Sequence, residues 1–436
     1  MKTKIAVSGV GYVGLTTAAC LAQLGHDVVG YDVDCEKIAS LREGKVGFSE
    51  PGLSELVVAN IGAGRLRFTT TPEEAMRDAE IAFICVGTPS DTAGRADLSH
   101  VFATAVTLAS AASRSFVVVM KSTAPSGSAE RVAALVTEHA RPGIRSAVVA
   151  NPEFLREGSA IRDFFETDRV VIGSWNRAAA ETVAALYAPL HAPVVITDPP
   201  TAQLIKYASN AFLATKISFI NEIARIADAV GANTRVVAAG MGFDERIGGA
   251  FLDAGLGYGG SCFPKDVLAL ATLAEDHADG PSDLLRAVIE INTARRRFAV
   301  DLLRDAVLGD LQGRQICVLG LAFKPDTDDV RDAPAFEIIS MLCESGALVH
   351  AYDPVATSAA RRVVPSHDAL RYCADAYEAA SGSSALLIAT DWPEFRELDW
   401  QRVRRSMVGG TIVDGRGLLQ QEEMSALGFT YVGMAG

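Results

Sequence analysis

At 436 residues the chain is long enough for two or three domains with ample cores. A hydrophobic share of 49% marks an ordinary globular protein, and a net charge of −13 argues against nucleic acid or an anionic membrane surface as the main partner. Seven irregularly spaced cysteines fit a reducing cytoplasm, and seven scattered histidines show no ligand spacing, so no metal is expected. No apolar run approaches membrane-span length, and the residues after Met1 read as a strand and glycine turn, not a signal peptide.

Residues 4–8 predict a short apolar strand that runs straight into Gly9-Val10-Gly11-Tyr12-Val13-Gly14. A helical pattern follows, with Ala18, Leu21 and Leu24 on one face and Gly25 as its stop. A second strand, Asp27 to Tyr31, ends at Asp32. Strand, glycine turn, helix, strand and terminal acid form the dinucleotide fingerprint in its proper setting. The glycines let the backbone approach a pyrophosphate, and the helix N-terminus faces its charge. Asp32 suits a ribose hydroxyl pair and favours NAD over NADP, because it would repel a 2′-phosphate. Without a ligand the same turn simply packs a helix on a sheet.

Further strands are expected at 81–86, 116–120, 147–150 and 169–172, with helical patterns between several of them. Gly87-Thr88-Pro89 and Ser122-Thr123-Ala124-Pro125 close two of these strands. Both are generic turns, yet they also lie at strand carboxyl ends, where such folds bind ligands. Asp198-Pro199-Pro200 reads as a domain joint. From Thr201 to Val230 a helical pattern runs for about 30 residues, roughly 45 Å at the usual rise. It predicts a spine between domains, with a face for a homodimer. Lys206 and Asn210 share one side of it. A lysine on such a helix usually snorkels, but the pairing with Asn210 suggests an inward polar spot.

The stretch Leu256-Gly257-Tyr258-Gly259-Gly260-Ser261-Cys262-Phe263-Pro264-Lys265-Asp266 sets a cysteine on a glycine turn just ahead of a proline. Pro264 suits the first turn of a helix, which places Cys262 at or before its N-terminus. The partial positive charge there favours a thiolate. Asp266, four residues on, is near enough to hold a water or a proton beside the sulfur. A lone cysteine is more often a small buried hydrophobe, as the apolar surroundings of Cys20, Cys35, Cys85, Cys317 and Cys343 suggest for those residues. The context of Cys262 is that of a covalent nucleophile.

After Arg297 a second wound domain begins, with strands at 315–319, 349–354, 385–389 and 411–413 and an acid, Asp353, ending the second of them. It repeats the first half in outline without its glycine fingerprint. The expected fold is therefore α/β, with two Rossmann-like doubly wound domains joined by a long central helix and a helical dimerisation region. The expected domains are residues 1–197, 198–298 and 299–436.

Taken together, Gly9–Gly14, Phe48-Ser49-Glu50-Pro51-Gly52-Leu53, Lys121-Ser122-Thr123, Asn151-Pro152-Glu153-Phe154-Leu155-Arg156-Glu157-Gly158, Gly257–Asp266 and Ala322-Phe323-Lys324-Pro325 resemble the UDP-glucose 6-dehydrogenases, within the wider nucleotide-sugar dehydrogenase group. They span nearly the whole chain in the family's order. The resemblance implies oxidation of a sugar C6 alcohol to a carboxylate with two NAD, through a thiohemiacetal and a thioester on Cys262. It implies that Lys206, with Asn210, stabilises oxyanions and that Asp266 acts with Lys206 and a water as base. Glu153 would serve thioester hydrolysis, with Thr123 positioning the water; read alone, the Asn-Pro-Glu-Phe stretch is equally a purely structural turn.

By the same resemblance, substrate falls to Glu153, Phe154, Leu155, Arg156, Glu157, Lys206, Asn210, Phe251, Leu252, Tyr258, Gly259, Lys324 and Arg416, and to Arg246 reaching across a dimer. The cofactor would meet Gly9, Gly11, Tyr12, Val13, Gly14, Asp32, Lys37, Thr88, Thr123, Glu157, Lys265 and Arg331. Ala124 and Ser128 depart mildly from the commonest pattern, while Ser261, Phe263 and Lys265 match glucose-type enzymes. GDP-mannose or a thymidine-linked glucose remains an alternative substrate. A non-catalytic sensor would be expected to lack the cysteine, lysine or aspartate, and all three are present.

Overall fold

The computed structural model describes residues 2–91, 94–277 and 280–434. It divides into two compact units, Met1–Ser209 and Asn210–Gly436.

The first unit holds eight strands: β1 (Lys4–Ser8), β2 (Asp27–Tyr31), β3 (Leu66–Thr69), β4 (Ile81–Ile84), β5 (Phe116–Met120), β6 (Ser146–Ala150), β7 (Val170–Gly173) and β8 (Val194–Thr197). They form one sheet in the order β3-β2-β1-β4-β5-β6-β7-β8, parallel except where β7 meets β6. Inner strands of a parallel sheet are covered on both faces and read as continuous apolar runs. All four residues of β4, Ile81-Ala82-Phe83-Ile84, are accordingly buried. Strand order reverses between β1 and β4, so the loops leaving their carboxyl ends flank the crevice where wound sheets take ligands.

The second unit repeats this plan with β9 (Gln315–Leu319), β10 (Leu348–Tyr352), β11 (Leu370–Tyr372), β12 (Ala385–Ile388), β13 (Thr411–Asp414) and β14 (Thr430–Gly433). All are parallel, in the order β11-β10-β9-β12-β13-β14, with the reversal between β9 and β12. Their core runs from Ile316 and Val318 through Leu386 to Ile412 and Val413.

A 32-residue helix, Pro199–Val230, carries the chain from one unit into the other. In the second unit it is followed by the helices Thr234–Gly242, Phe263–His277 and Asp283–Ala306. Among the described residues no helix is long and apolar enough to cross a membrane.

Candidate active site

In the first unit β1 runs into Gly9, whose φ of 84° places a side chain in the disfavoured left-handed region. A Cβ on Gly14 would strike the Gly9 carbonyl oxygen, so the helix Tyr12–Gln23 packs directly on the turn. Gly11 faces open space, with nothing within 4 Å of an added Cβ, and no side chain caps this helix. Its first amides are thus left for an anion. Asp32, at the end of β2, accepts from the Val10 N–H at 3.0 Å and from Lys37 Nζ at 3.0 Å. Thr88 donates to the Thr123 carbonyl at 2.9 Å, tying the loops after β4 and β5. An open glycine, an uncapped helix start and an acid beside the turn fit NAD.

Glu50 joins this turn to the loop after β6. Its buried carboxylate accepts from the Tyr12 hydroxyl, from the Gly158 N–H at 2.6 Å and from the Ala160 N–H at 2.8 Å. Burial and the Glu50 charge push the Tyr12 phenol far above its ordinary value. In the same loop Arg156 makes a two-pronged contact with Asp163, at 3.0 and 2.6 Å, while Glu157 is partly buried.

Behind that loop lies a buried charge cluster. Lys206 Nζ donates to Glu153 Oε1 at 3.0 Å, with side chains 4% and 6% exposed. The Leu155 N–H donates to Glu153 Oε2 at 2.6 Å. The Phe154 ring lies 5.4 Å from Lys206 Nζ and 3.7 Å from the Arg169 guanidinium. Burial pushes the Glu153 carboxyl upward, but Lys206, the Leu155 amide and Lys121 together hold it below the usual glutamate range.

Lys121 is itself buried, donating to Asn151 Oδ1 at 3.2 Å and lying 3.5 Å from the Tyr187 hydroxyl, which donates to the same oxygen at 2.6 Å. Burial pulls the Lys121 ammonium down to about 8, against the pull of Glu153. Between about pH 8 and the ordinary lysine value the unfolded chain keeps a proton here that the folded one has lost. Stability contributed by this site therefore rises with pH across that window. Lys121→Met is expected to flatten that rise, worth up to about 3 kcal/mol at about 1.4 kcal/mol per unit. Urea unfolding from pH 7 to 10.5 checks it, and an unchanged slope would contradict it.

In the second unit the helix Phe263–His277 starts immediately after Cys262, whose carbonyl accepts the Asp266 N–H at 2.9 Å. Cys262 is partly exposed, with Sγ 3.6 Å from Ser261 Oγ. Asp266 is 1% exposed; its carboxylate takes Asn210 Nδ2 at 2.7 Å and pairs with Lys265. The glycine loop ahead of the cysteine is held by close backbone contact. At Gly257 (φ 88°) a Cβ would strike the Asn292 side chain, and at Gly259 it would strike the Asp332 carbonyl. Asn292 clamps Tyr258 through both its backbone groups, at 2.8 and 3.1 Å.

Arg416, whose burial lowers its pKa, reaches the carbonyls of Ala389 at 2.9 Å and Gly257 at 3.2 Å, and so braces the same loop. Phe251 takes a φ of 64° and its ring lies tilted against Phe263, 6.1 Å between centroids, and Leu252 is buried. Lys324 Nζ sits 5.5 Å from the Phe323 ring.

The structure thus groups the expected residues into a dinucleotide turn, a Glu153–Lys206 pair and a Cys262–Asp266–Asn210–Lys265 cluster. Arg246 and Arg331 are exposed and engage Asp244 and Asp329 of their own loops, each at 2.6 Å. Glu50, Lys121 and Asn292 take part without having been marked as site residues by the sequence pattern. Glu50 and Lys121 sit in recognisable motifs, but nothing in the helical pattern of Asp283–Ala306 marks Asn292 as a clamp.

Residues 3–191 match the NAD binding domain of the UDP-glucose/GDP-mannose dehydrogenase family, residues 200–294 its central domain, and residues 317–421 its UDP binding domain. UDP-glucose 6-dehydrogenase TuaD of Bacillus subtilis is 47% identical over 428 residues, 98% of this chain and 92% of its own. UDP-glucose 6-dehydrogenase of Rhizobium meliloti is 46% identical over 434 residues, 98% of each chain. A solved UDP-glucose dehydrogenase from Pyrobaculum islandicum superposes with a TM-score of 0.93 at 41% identity, covering 100% of this chain and 98% of that one.

Proposed function

Because the chain belongs to the UDP-glucose/GDP-mannose dehydrogenase family, we propose that it oxidises the C6 alcohol of UDP-glucose to the carboxylate of UDP-glucuronate with two NAD, through a covalent intermediate on Cys262. The observation that carries this reading is the partly exposed cysteine at a helix start, on a glycine loop, next to a buried aspartate held by Asn210 and Lys265. An enzyme that performs one hydride transfer has no use for such a nucleophile.

Gly9, Gly11, the amides of Tyr12 and Val13, and Asp32 would hold the dinucleotide, with Lys37 and Thr88 at its margins. Held there, NAD would supply the hydride acceptor for both oxidations. Asp266, with Lys206 and a water, takes the proton of the alcohol. Cys262 Sγ then adds to the aldehyde carbon, and Lys206, assisted by Asn210, stabilises the oxyanion of the thiohemiacetal. After the second oxidation the carbon is held on Cys262 as a thioester. Water positioned by Thr123 and deprotonated by Glu153 releases the acid.

The Glu153–Lys206 pair supports this order of events. With Lys206 in contact, Glu153 is held low and is a weak base. When the ammonium turns to a substrate oxyanion, burial raises the carboxylate's proton affinity at the step that needs a base. For substrate recognition we assign residues 299–436 to the nucleotide and the segments around Phe154–Glu157, Phe251–Leu252 and Tyr258–Gly259 to the sugar. Residues 1–197 form the NAD domain and 198–298 the central domain. Phe212, Phe219 and Ile226 recur every seventh residue on the long helix and are 66%, 46% and 46% exposed, a face suited to a second copy of the chain.

Initial rates of NADH formation with UDP-glucose, thymidine-diphosphate-glucose, GDP-mannose and UDP-N-acetylglucosamine test the substrate. UDP-glucose is expected to lead by at least about tenfold in kcat/KM. Preference for another sugar would move the specificity, and tight binding with no NADH would point to a sensor.

A further inference from the structure

Gln203 is 5% exposed and lies three residues before Lys206 on the long helix. Its Nε2 donates to Ser128 Oγ at 2.7 Å, and the Ser128 hydroxyl donates to the Pro125 carbonyl at 2.6 Å. A hydroxyl has one hydrogen, so Ser128 can only accept from Gln203, and this relay fixes which way the amide points. The Gln203 carbonyl oxygen is therefore turned away from Ser128. It is buried and has no hydrogen-bond partner among the described residues. Buried acceptors are nearly always satisfied by protein or by ordered water.

Gln203 also lines a cavity of about 10 Å³, the room one water needs. Thr123, Lys206, Ser122 and Pro152 share the wall with apolar Met120. The cavity wall thus brings Gln203, whose carbonyl is unsatisfied, together with the threonine and lysine already assigned to the reaction.

Building on the function proposed above, we propose that this cavity holds the water that hydrolyses the thioester and that Gln203 is its positioning residue. The Gln203 carbonyl accepts one hydrogen of the water, which leaves a lone pair for attack. The water oxygen bonds to the thioester carbon, its other hydrogen passes as a proton to the Glu153 carboxylate, and the C–S bond breaks with its electron pair left on Cys262 Sγ. The hydrogen on Gln203 stays with the new acid. No redox change occurs in this step.

Gln203→Leu keeps the bulk and removes the acceptor. In stopped-flow with NAD and UDP-glucose it is expected to give a burst of two NADH per active site, followed by a steady rate about 10²-fold below the parent. Acid-quenched intact mass spectrometry is expected to show the sugar thioester accumulating on the protein, with KM falling alongside kcat and kcat/KM changed less than about threefold, because only the step after the thioester is slowed. Ser128→Ala, which frees the amide without touching the cavity wall, should show the same burst and adduct to a smaller degree. Loss of the burst together with the steady rate, with no adduct in either variant, would overturn the assignment, since a merely structural defect slows every step. The parent enzyme and Glu153→Gln are run alongside. A parent that fails to give two NADH per sugar would overturn the function itself, whatever Gln203 does.

Discussion

Replacing Cys262 with serine is expected to lower release of UDP-glucuronate by roughly 10³-fold or more, while NAD and UDP-glucose still bind within a few-fold of the parent. The sulfur sits ahead of the helix Phe263–His277, where the partial charge of the helix start favours an anion. A serine hydroxyl in the same place ionises far less readily and makes a poor leaving group when the acid must be released. The binding residues proposed for the dinucleotide lie in the other unit, at Gly11 and Asp32, and are untouched by the change. Isothermal titration paired with product analysis separates the two effects. Product release at the parent rate would remove Cys262 from the covalent role.

Lys206→Met carries the second large effect, and it acts on activity and stability together. Loss of an oxyanion partner is expected to cost about 10²–10³-fold in kcat. The change also leaves Glu153 as a buried carboxylate without its contact cation. Breaking a buried pair from one side costs about 3–5 kcal/mol. Lys206 is the strongest of the influences that hold Glu153 low against burial, so the carboxyl should take up a proton at higher pH in the variant. In the parent, the stabilisation from the lowered Glu153 is present above the ordinary glutamate range and is lost as pH falls through the folded value. The double variant Lys206→Met/Glu153→Gln is expected to recover most of the stability and none of the activity. Urea unfolding and steady-state rates check both halves, and a Lys206→Met protein as stable as the parent would contradict the pairing.

Strands buried on both faces were legible in the sequence because burial writes them as unbroken apolar runs. Residues 4–8, 27–31, 116–120 and 315–319 form strands where that pattern placed them. The four strands it did not mark, β3, β8, β11 and β14, are the edges of the two sheets. An edge strand needs less apolar surface: Val194 and Val195 of β8 are 41% and 42% exposed, and β11 is three residues long. In the site, local features were readable: the glycine turn, Cys262 ahead of Pro264, and the one-turn spacing of Lys206 and Asn210. What joins distant segments was not. Glu153 meets Lys206 across 53 positions, Asn292 meets Tyr258 across 34, and Glu50 meets Ala160 across 110. Such pairings leave no periodic trace, because each is fixed by how whole elements pack. The pairings of Arg246 with Asp244 and of Arg331 with Asp329 were equally invisible in a list of charges.

The measurement that tests the central claim most directly is the yield of NADH per UDP-glucose consumed, taken to completion with NAD in excess and the product identified by mass spectrometry. Two NADH per sugar, with UDP-glucuronate as the product, is the result expected of a four-electron oxidation through Cys262. One NADH per sugar, with a released aldehyde, would contradict it.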